Sequence, residues 1–360
     1  MLHLSRSQVL AYRTQINGLE TSNTAVLETG VQDTPPGTTA QLALHARRLP
    51  SDGLALVHSI RGALHLHRVE DLGLLAAALR LRDAGEAAPT THGRFFAGFT
   101  PDELAEAWTA MVDALRAAFT AGEPLTKGEL SGAVTPAVDP RLAPWCATCA
   151  VHHPHDGLFR MATLQAGLRL APDGSSFQPP AERPSPVEPD EARRALLRRF
   201  LTVCGPASPA HLAQWAGLTP AAAKRWWTPL AGELTEVRVE GRPAWSLDPG
   251  AVLAAPTPEG VALLPPYDPL TEVADRELVE PDPARRKQIW RATANPGVAV
   301  AAGEVIGVWR RKTLRRRMSI RITHFATLRS GVRAALTDAA EESAATLGAE
   351  SLDVAFEQFE

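Results

Sequence analysis

Two adjacent residues near the start of the chain carry side chains suited to catalysis. Gln32 and Asp33 lie in a segment interrupted by prolines. A carboxylate next to an amide can orient a water molecule and accept a proton from it. The alternative is structural, because Asp33 or Thr34 can cap a helix predicted over 38–47. Residue types alone favour the capping alternative.

A predicted β-hairpin carries a second group of polar side chains. Arg61 lies between two strand-like runs, at 54–59 and 63–67. Strand alternation puts His65 and His67 on one face of the second run. Together with Arg61 they could contact phosphates. The alternative is that they form the polar outer face of a wing.

A cysteine pair followed by histidines raises the question of a metal. Cys146 and Cys149 form a CxxC pair, and His152, His153 and His155 follow within ten positions. Two thiolates at this spacing chelate zinc well. The histidines follow too closely for the usual zinc-finger spacing, however. We therefore expect a reduced cysteine pair with the histidines in water, and we assign no metal.

The charge of the chain is unevenly distributed. Its 37 basic and 40 acidic residues give a net charge of −3. Residues 281–330 hold 12 basic and 2 acidic residues, a local charge of +10, which leaves −13 for the remainder. A dense basic run lies where two strands would meet in a hairpin; it comprises Arg310, Arg311, Lys312, Arg315, Arg316 and Arg317. The arginine fork suits phosphate, so this tip could bind a nucleic-acid backbone without reading its sequence. RNA, an anionic protein or a solvated charged surface are the alternatives.

The elements that would position these groups follow a repeated order. Three helices and then a strand pair are typical of a winged helix-turn-helix, and this order occurs three times. The predicted fold class is α+β, with three tandem winged-helix units at 1–95, 96–180 and 188–252. A proline-rich linker is predicted at 179–189. Apolar strand-like runs then predict a small C-terminal β-barrel with a final helix and strand over 253–360.

Composition excludes several classes of protein. With 45% hydrophobic and 21% charged residues, the chain is too apolar to be disordered. No apolar run reaches the roughly 18 residues of a transmembrane helix, and the first residues lack the apolar core of a signal peptide. We therefore expect a cytoplasmic protein. Because no P-loop or other glycine-rich loop is present, we expect no nucleotide cofactor.

Five segments, in this order along the chain, resemble the AlkZ/YcaQ family of winged-helix DNA glycosylases. They are the segment around Gln32, 61–65 (RGALH), 158–160 (LFR), 264–270 (LPPYDPL) and 307–311 (GVWRR). The second and fourth are the most specific. The resemblance implies three winged helices and a barrel around a concave DNA-binding surface. It also implies a monofunctional glycosylase that hydrolyses the N-glycosidic bond of alkylated purines, including N7-linked adducts and interstrand crosslinks; we expect no cofactor.

The resemblance also implies a catalytic motif, from which this sequence departs. The family motif is Gln or His, an aliphatic residue, then Gln or Asp. Gln32 matches its first position, but Asp33 and Thr34 occupy the second and third. Either Asp33 has taken over the third role, or the site is inactive. We expect a monomeric glycosylase on double-stranded DNA with Gln32 and Asp33 positioning water; a non-catalytic DNA-binding protein or regulator is the alternative.

Overall fold

The computed structural model describes residues 1–21, 23–34, 38–83, 85–88, 98–119, 122–179 and 187–359. The fold is mixed α+β. Most of the linker predicted at 179–189 lies outside the described residues, and so does the predicted unit boundary at 95/96. None of the described helices has the length and apolar character needed to cross a membrane.

The first segment contains the helices and strands that carry Gln32 and Arg61. Its helices are α1 (Arg6–Ile16), α2 (Val26–Thr29), α3 (Thr39–His45) and α4 (Leu72–Leu79). Its strands are β1 (Leu2–Leu4), β2 (Val31–Asp33), β3 (Leu54–His58) and β4 (Leu64–Arg68). The helix predicted over 38–47 and the β3–β4 hairpin are confirmed. The sequence did not predict β1 or β2.

The second segment joins its strands to those of the first. Its helices are α5 (Pro101–Ala117), α6 (Lys127–Val134) and α7 (Asp156–Gln165). Its strands are β5 (Leu125–Thr126), β6 (Trp145–Cys146), β7 (Val151–His152), β8 (Arg169–Leu170) and β9 (Ser176–Gln178). Leu56 pairs with Leu170, which produces one six-stranded sheet in the order β2-β4-β3-β8-β9-β5. The two predicted wings are therefore parts of one sheet.

The third segment begins with a long helix at Pro189. Its helices are α8 (Pro189–Cys204), α9 (Pro209–Ala216), α10 (Pro220–Trp227) and α11 (Pro249–Ala254), and its strands are β10 (Thr235–Val239) and β11 (Arg242–Ser246). Ser208 and Thr219 cap α9 and α10, and Gly217 ends α9 with φ +69°. The N-terminal strand β1 pairs in parallel with β10. The start of the chain thus completes the sheet of this segment.

The last segment is a five-stranded sheet covered by a long helix. Its strands are β12 (Val261–Leu264), β13 (Gly297–Ala301), β14 (Glu304–Leu314), β15 (Arg317–His324) and β16 (Ser351–Gln358), and its helices are α12 (Arg276–Val279), α13 (Pro283–Ile289) and α14 (Ser330–Thr346). The strands pair in chain order, and the last pair is parallel. The described pairs include none between β12 and β16.

Hydrophobic packing connects these segments. One buried cluster contains Leu75 of α4, Phe200 of α8, Trp226 of α10 and Val298 of β13. A second places Leu42 of α3 among the buried side chains of the C-terminal sheet. Because burial of apolar surface is the main stabilising force, these contacts hold α4 against the third segment and the C-terminal sheet, and they hold α3 against the C-terminal sheet.

Candidate active site and nucleic-acid interface

Gln32 and Asp33 lie on β2, which sends their side chains to opposite faces. β2 pairs antiparallel with β4, and Gln32 stands opposite His65 while Asp33 stands opposite Leu64. Gln32 is half-buried, whereas Asp33 is only 5% exposed. Successive strand residues alternate between faces, so these two side chains do not converge on one water molecule.

The Asp33 carboxylate caps α3. Its Oδ1 accepts hydrogen bonds from the backbone N–H groups of Thr39 (3.1 Å) and Ala40 (3.0 Å) and from the Thr39 hydroxyl (2.9 Å). The backbone N–H of Thr34 donates to the same hydroxyl at 2.8 Å. The capping alternative therefore describes Asp33. This corrects the expectation that Asp33 positions water beside Gln32, since its carboxylate is engaged at the start of a helix.

Arg61 connects the Gln32 segment to two distant parts of the chain. Its Nη2 donates to Gln32 Oε1 (3.1 Å) and to Glu272 Oε2 (2.8 Å), and its Nη1 donates to the Trp215 carbonyl (2.5 Å). A guanidinium group only donates hydrogen bonds, so the amide atom that faces it must be the oxygen. This contact fixes the orientation of the Gln32 amide.

The backbone at Arg61 is strained. Arg61 has φ +58° and ψ +17°, and Gly62 follows with φ +69°. The left-handed region costs a non-glycine residue about 1–3 kcal/mol and persists where surrounding contacts determine it. The Gly62 N–H donates to the Ser59 carbonyl at 2.8 Å, and the side-chain contacts of Arg61 hold the other end. Such strain is concentrated at functional sites.

Glu272 is a site residue that the sequence analysis missed. Its side chain is 20% exposed and that of Arg61 is 22% exposed, so the ion pair between them is only partly accessible to water. Arg276 is close to both groups. Burial lowers the pKa of Arg276, the Glu272 carboxylate opposes that shift, and the Arg61 guanidinium adds to it. The signal that could have found Glu272 is its position, two residues after the 264–270 block.

A buried ion pair holds the turn that presents Glu272. The Asp268 and Arg47 side chains are 0% exposed and are joined by two hydrogen bonds of 2.8 Å. The backbone N–H of Glu272 donates to the Asp268 carbonyl at 3.0 Å, and Arg47 lies just beyond α3. The pair therefore connects the end of α3, whose start Asp33 caps, to the Glu272 turn.

The predicted basic hairpin is present, and its base lies beside α3. β14 and β15 pair up to Leu314 opposite Arg317, which leaves Arg315 and Arg316 as a two-residue tip. The Arg311 guanidinium donates to the Thr38 hydroxyl, and Arg316 forms an ion pair with Glu350. The base of the basic hairpin therefore lies beside the start of α3, and its tip extends into solvent.

Three side chains of this hairpin are available to a partner. Lys312, Arg315 and Arg317 are exposed. Within the described residues, no hydrogen bond or ion pair engages the side chains of these three. Arg310, also exposed, donates to the Ala294 carbonyl at 2.8 Å. Exposed cations that lack internal acceptors suit the phosphates of a nucleic acid.

Comparison with known proteins identifies the family of this chain. The family model for AlkZ-like DNA glycosylases matches residues 27–346. The chain belongs to this family. The interstrand DNA cross-link repair glycosylase of Streptomyces sahachiroi is 35% identical over 130 residues, which are 34% of this chain and 35% of that protein. The match thus spans about a third of that relative's length.

A solved AlkZ structure shows the same fold. The DNA glycosylase AlkZ of Streptomyces sahachiroi aligns with 99% of this chain and 100% of its own, with a TM-score of 0.72 and 24% sequence identity. The resemblance to the AlkZ/YcaQ family that the sequence indicated is confirmed.

The two hairpin histidines of this AlkZ-like chain lie inside the protein. His65 is 5% exposed and His67 is 0% exposed. The Ser59 hydroxyl lies 3.0 Å from His65 Nδ1 and 2.8 Å from His67 Nε2. Burial lowers the pKa of His67 to about 3 and that of His65 well below its usual value, so both rings are neutral at pH 7. We expected these histidines to contact phosphates, but buried neutral rings differ from that expectation. Through Ser59 they pack against the turn that contains Arg61.

Of the two cysteines and three histidines at 146–155, the structure brings three side chains together. Ligand atoms of Cys146, Cys149 and His153 lie within 4.8 Å of one another. The other two histidines have different roles. His152 Nδ1 lies 3.0 Å from the Ala143 carbonyl, and the His155 side chain caps α7.

Proposed function

We propose that this protein is a monofunctional DNA glycosylase that hydrolyses the N-glycosidic bond of alkylated purines in double-stranded DNA. Family membership and the curated relative, described as a cross-link repair glycosylase, support this reaction class. The observation that carries the proposal is the convergence of Gln32 and Glu272 on one guanidinium, that of Arg61. A polar amide and a carboxylate thereby share one partly buried site.

The chemistry of the reaction suits these two groups. Cleavage of a glycosidic bond builds positive charge on the sugar, which a nearby carboxylate stabilises. Glu272 supplies that carboxylate in place of Asp33. Gln32 orients the attacking water through its amide, whose direction Arg61 fixes. An N7-alkylated purine is already cationic and departs as a neutral base, so the site needs no strong general acid.

The architecture proposed for DNA binding is that of three winged-helix units and a curled, barrel-like C-terminal sheet. The units correspond to 1–95, 96–180, 188–252 and 253–360. The exposed side chains of Lys312, Arg315 and Arg317 contact phosphates near the lesion, while Arg61 acts inside the site. We further propose that the protein works as a monomer in the cytoplasm.

Base release from defined DNA tests the proposed activity. Purified protein is incubated with one duplex containing N7-methylguanine and another containing an N7-linked interstrand crosslink. The proposal predicts free base and an abasic site without strand cleavage. The Glu341→Gln variant, altered on the exposed face of α14, should release base at the wild-type rate. Binding to both duplexes without release of either base would favour a non-catalytic DNA-binding protein or regulator.

A further inference from the structure

A small hairpin in the second segment brings two thiols close to an imidazole. β6 and β7 pair Trp145 with His152 and Cys146 with Val151. The loop between them contains Cys149 and is turned by a left-handed residue, Ala150, with φ +52°. Both thiols are free, and Cys149 is exposed. The hairpin thus presents the two cysteines on one short loop.

The distances among these groups fit one metal ion. The ligand atoms of Cys146, Cys149 and His153 all lie within 4.8 Å of one another. Tetrahedral zinc with Zn–S bonds of about 2.3 Å and Zn–N bonds of about 2.0–2.1 Å holds its ligand atoms about 3.5–3.8 Å apart. Small rotations of the side chains therefore suffice to close the site.

The His153 ring makes a hydrogen bond that is typical of zinc-binding histidines. Its Nδ1 lies 2.8 Å from the Pro154 carbonyl. A carbonyl only accepts hydrogen bonds, so Nδ1 carries the proton and Nε2 keeps its lone pair. Metal-binding histidines commonly donate their other ring N–H to a carbonyl in this way. The hydrogen bond thus selects the tautomer that binds a metal.

We propose that Cys146, Cys149 and His153 bind one zinc ion, with water in the fourth position on the exposed side of Cys149. The ion links the end of β6, the loop that follows it and the residue after β7. It thereby holds the hairpin that presents Trp145, which is 58% exposed and whose ring packs edge-on against His152 at 5.3 Å. This role does not depend on the glycosylase activity.

Metal content tests the zinc proposal. Protein is produced in zinc-supplemented medium, purified with a non-chelating reductant, and analysed by mass spectrometry of the elements. We expect one zinc per chain in the wild type, and less than a tenth of that in Cys149→Ser and His153→Ala. The matched control is His152→Ala, which removes a neighbouring imidazole and should keep its zinc. Zinc in the wild type no higher than in Cys149→Ser would overturn the proposal.

Cobalt substitution tests the ligand set without a variant. Reduced wild-type protein titrated with Co²⁺ should develop thiolate-to-cobalt charge-transfer bands and tetrahedral d–d bands that saturate at one equivalent. Addition of zinc should abolish them. Absence of these bands in fully reduced protein would contradict the proposal. Formation of a stable Cys146–Cys149 disulfide in protein stored with zinc and reductant would also contradict it.

Discussion

The buried Arg47–Asp268 pair provides a sharp test of how the site is held together. Asp268→Asn keeps the size of the side chain and removes its charge. The carboxylate now accepts two hydrogen bonds from Arg47 and one from the backbone N–H of Leu270 at 3.0 Å. Each carboxylate oxygen accepts from Arg47, so the NH₂ group of the variant faces a guanidinium N–H in either orientation. In one orientation it also faces the Leu270 N–H.

The expected loss of stability in Asp268→Asn follows from the burial of both side chains. Both side chains are 0% exposed, so water cannot replace the lost partner of Arg47. Removing one member of a buried ion pair costs about 3–5 kcal/mol, because the other charge stays buried and uncompensated. The Asn17 and Ala43 carbonyls, at 2.7 and 2.9 Å, still accept from the guanidinium. We therefore expect a loss near the lower end, about 3 kcal/mol.

Urea unfolding followed by tryptophan fluorescence measures this loss. With a slope of about 3 kcal/mol per molar urea, the midpoint should fall by roughly 1 M. Glu350→Gln breaks the exposed Arg316–Glu350 pair and should cost less than about 1 kcal/mol. A loss for Asp268→Asn no greater than for Glu350→Gln would refute the view that this pair fixes the Glu272 turn.

Three further predictions concern the hairpin, the α3 cap and a buried histidine. Arg315→Gln/Arg317→Gln should lower the slope of log affinity against log salt by about 2, since each lost phosphate contact removes about 0.9; fluorescence anisotropy with duplex DNA measures it. Asp33→Ala removes the α3 cap and should lower the free energy of unfolding by about 1–2 kcal/mol in urea titrations. Burial lowers the pKa of His58 to about 3. The unfolded chain binds a proton at this histidine below about pH 6.5, whereas the folded chain does not. The free energy of unfolding of the wild type should therefore fall as the pH drops from 6.5 toward 3, by up to about 1.4 kcal/mol per pH unit for this group. His58→Gln should reduce this fall, measured by urea unfolding at pH 7 and pH 5.

Matched variants decide each of these results. Arg194→Gln/Arg333→Gln changes the net charge equally but lies outside the hairpin, so an equal loss of salt slope would show a general charge effect. For the cap, an unchanged free energy of unfolding in Asp33→Ala would contradict the assigned role. His3→Gln alters an exposed histidine. If it reduced the pH dependence of stability as much as His58→Gln does, burial of His58 could not be the cause of that dependence.

Local sequence signals predicted most of the helices and their caps. Ser5, Thr126 and Ser208 are residue types that begin helices, and each caps its helix through a capping box within four residues. β2 was missed since it has only three residues, and its hydrogen-bonding partner β4 lies some thirty residues along the chain. The pairing of β3 with β8 likewise depends on contacts that no local pattern contains.

The candidate site was only partly predictable for the same reason. The family resemblance indicated Gln32 as a candidate, whereas the link from Gln32 to Glu272 runs through the Arg61 side chain and depends on the fold. The alternation of side chains along a strand correctly placed His65 and His67 on the same face. It does not show which face of the strand is buried, because that depends on how the hairpin packs against the rest of the fold. For Asp33, the residue type favoured a helix cap, and the hydrogen bonds to Thr39 and Ala40 agree with it.

The central claim is that Gln32 directs water in a glycosylase site. The most direct test is the single-turnover rate of base release from N7-methylguanine DNA by Gln32→Ala, with DNA affinity measured on the same preparation. The account predicts a rate at least 100-fold below wild type, about 2.7 kcal/mol of lost transition-state stabilisation, with affinity within about threefold. A Gln32→Ala rate equal to the wild-type rate would contradict it.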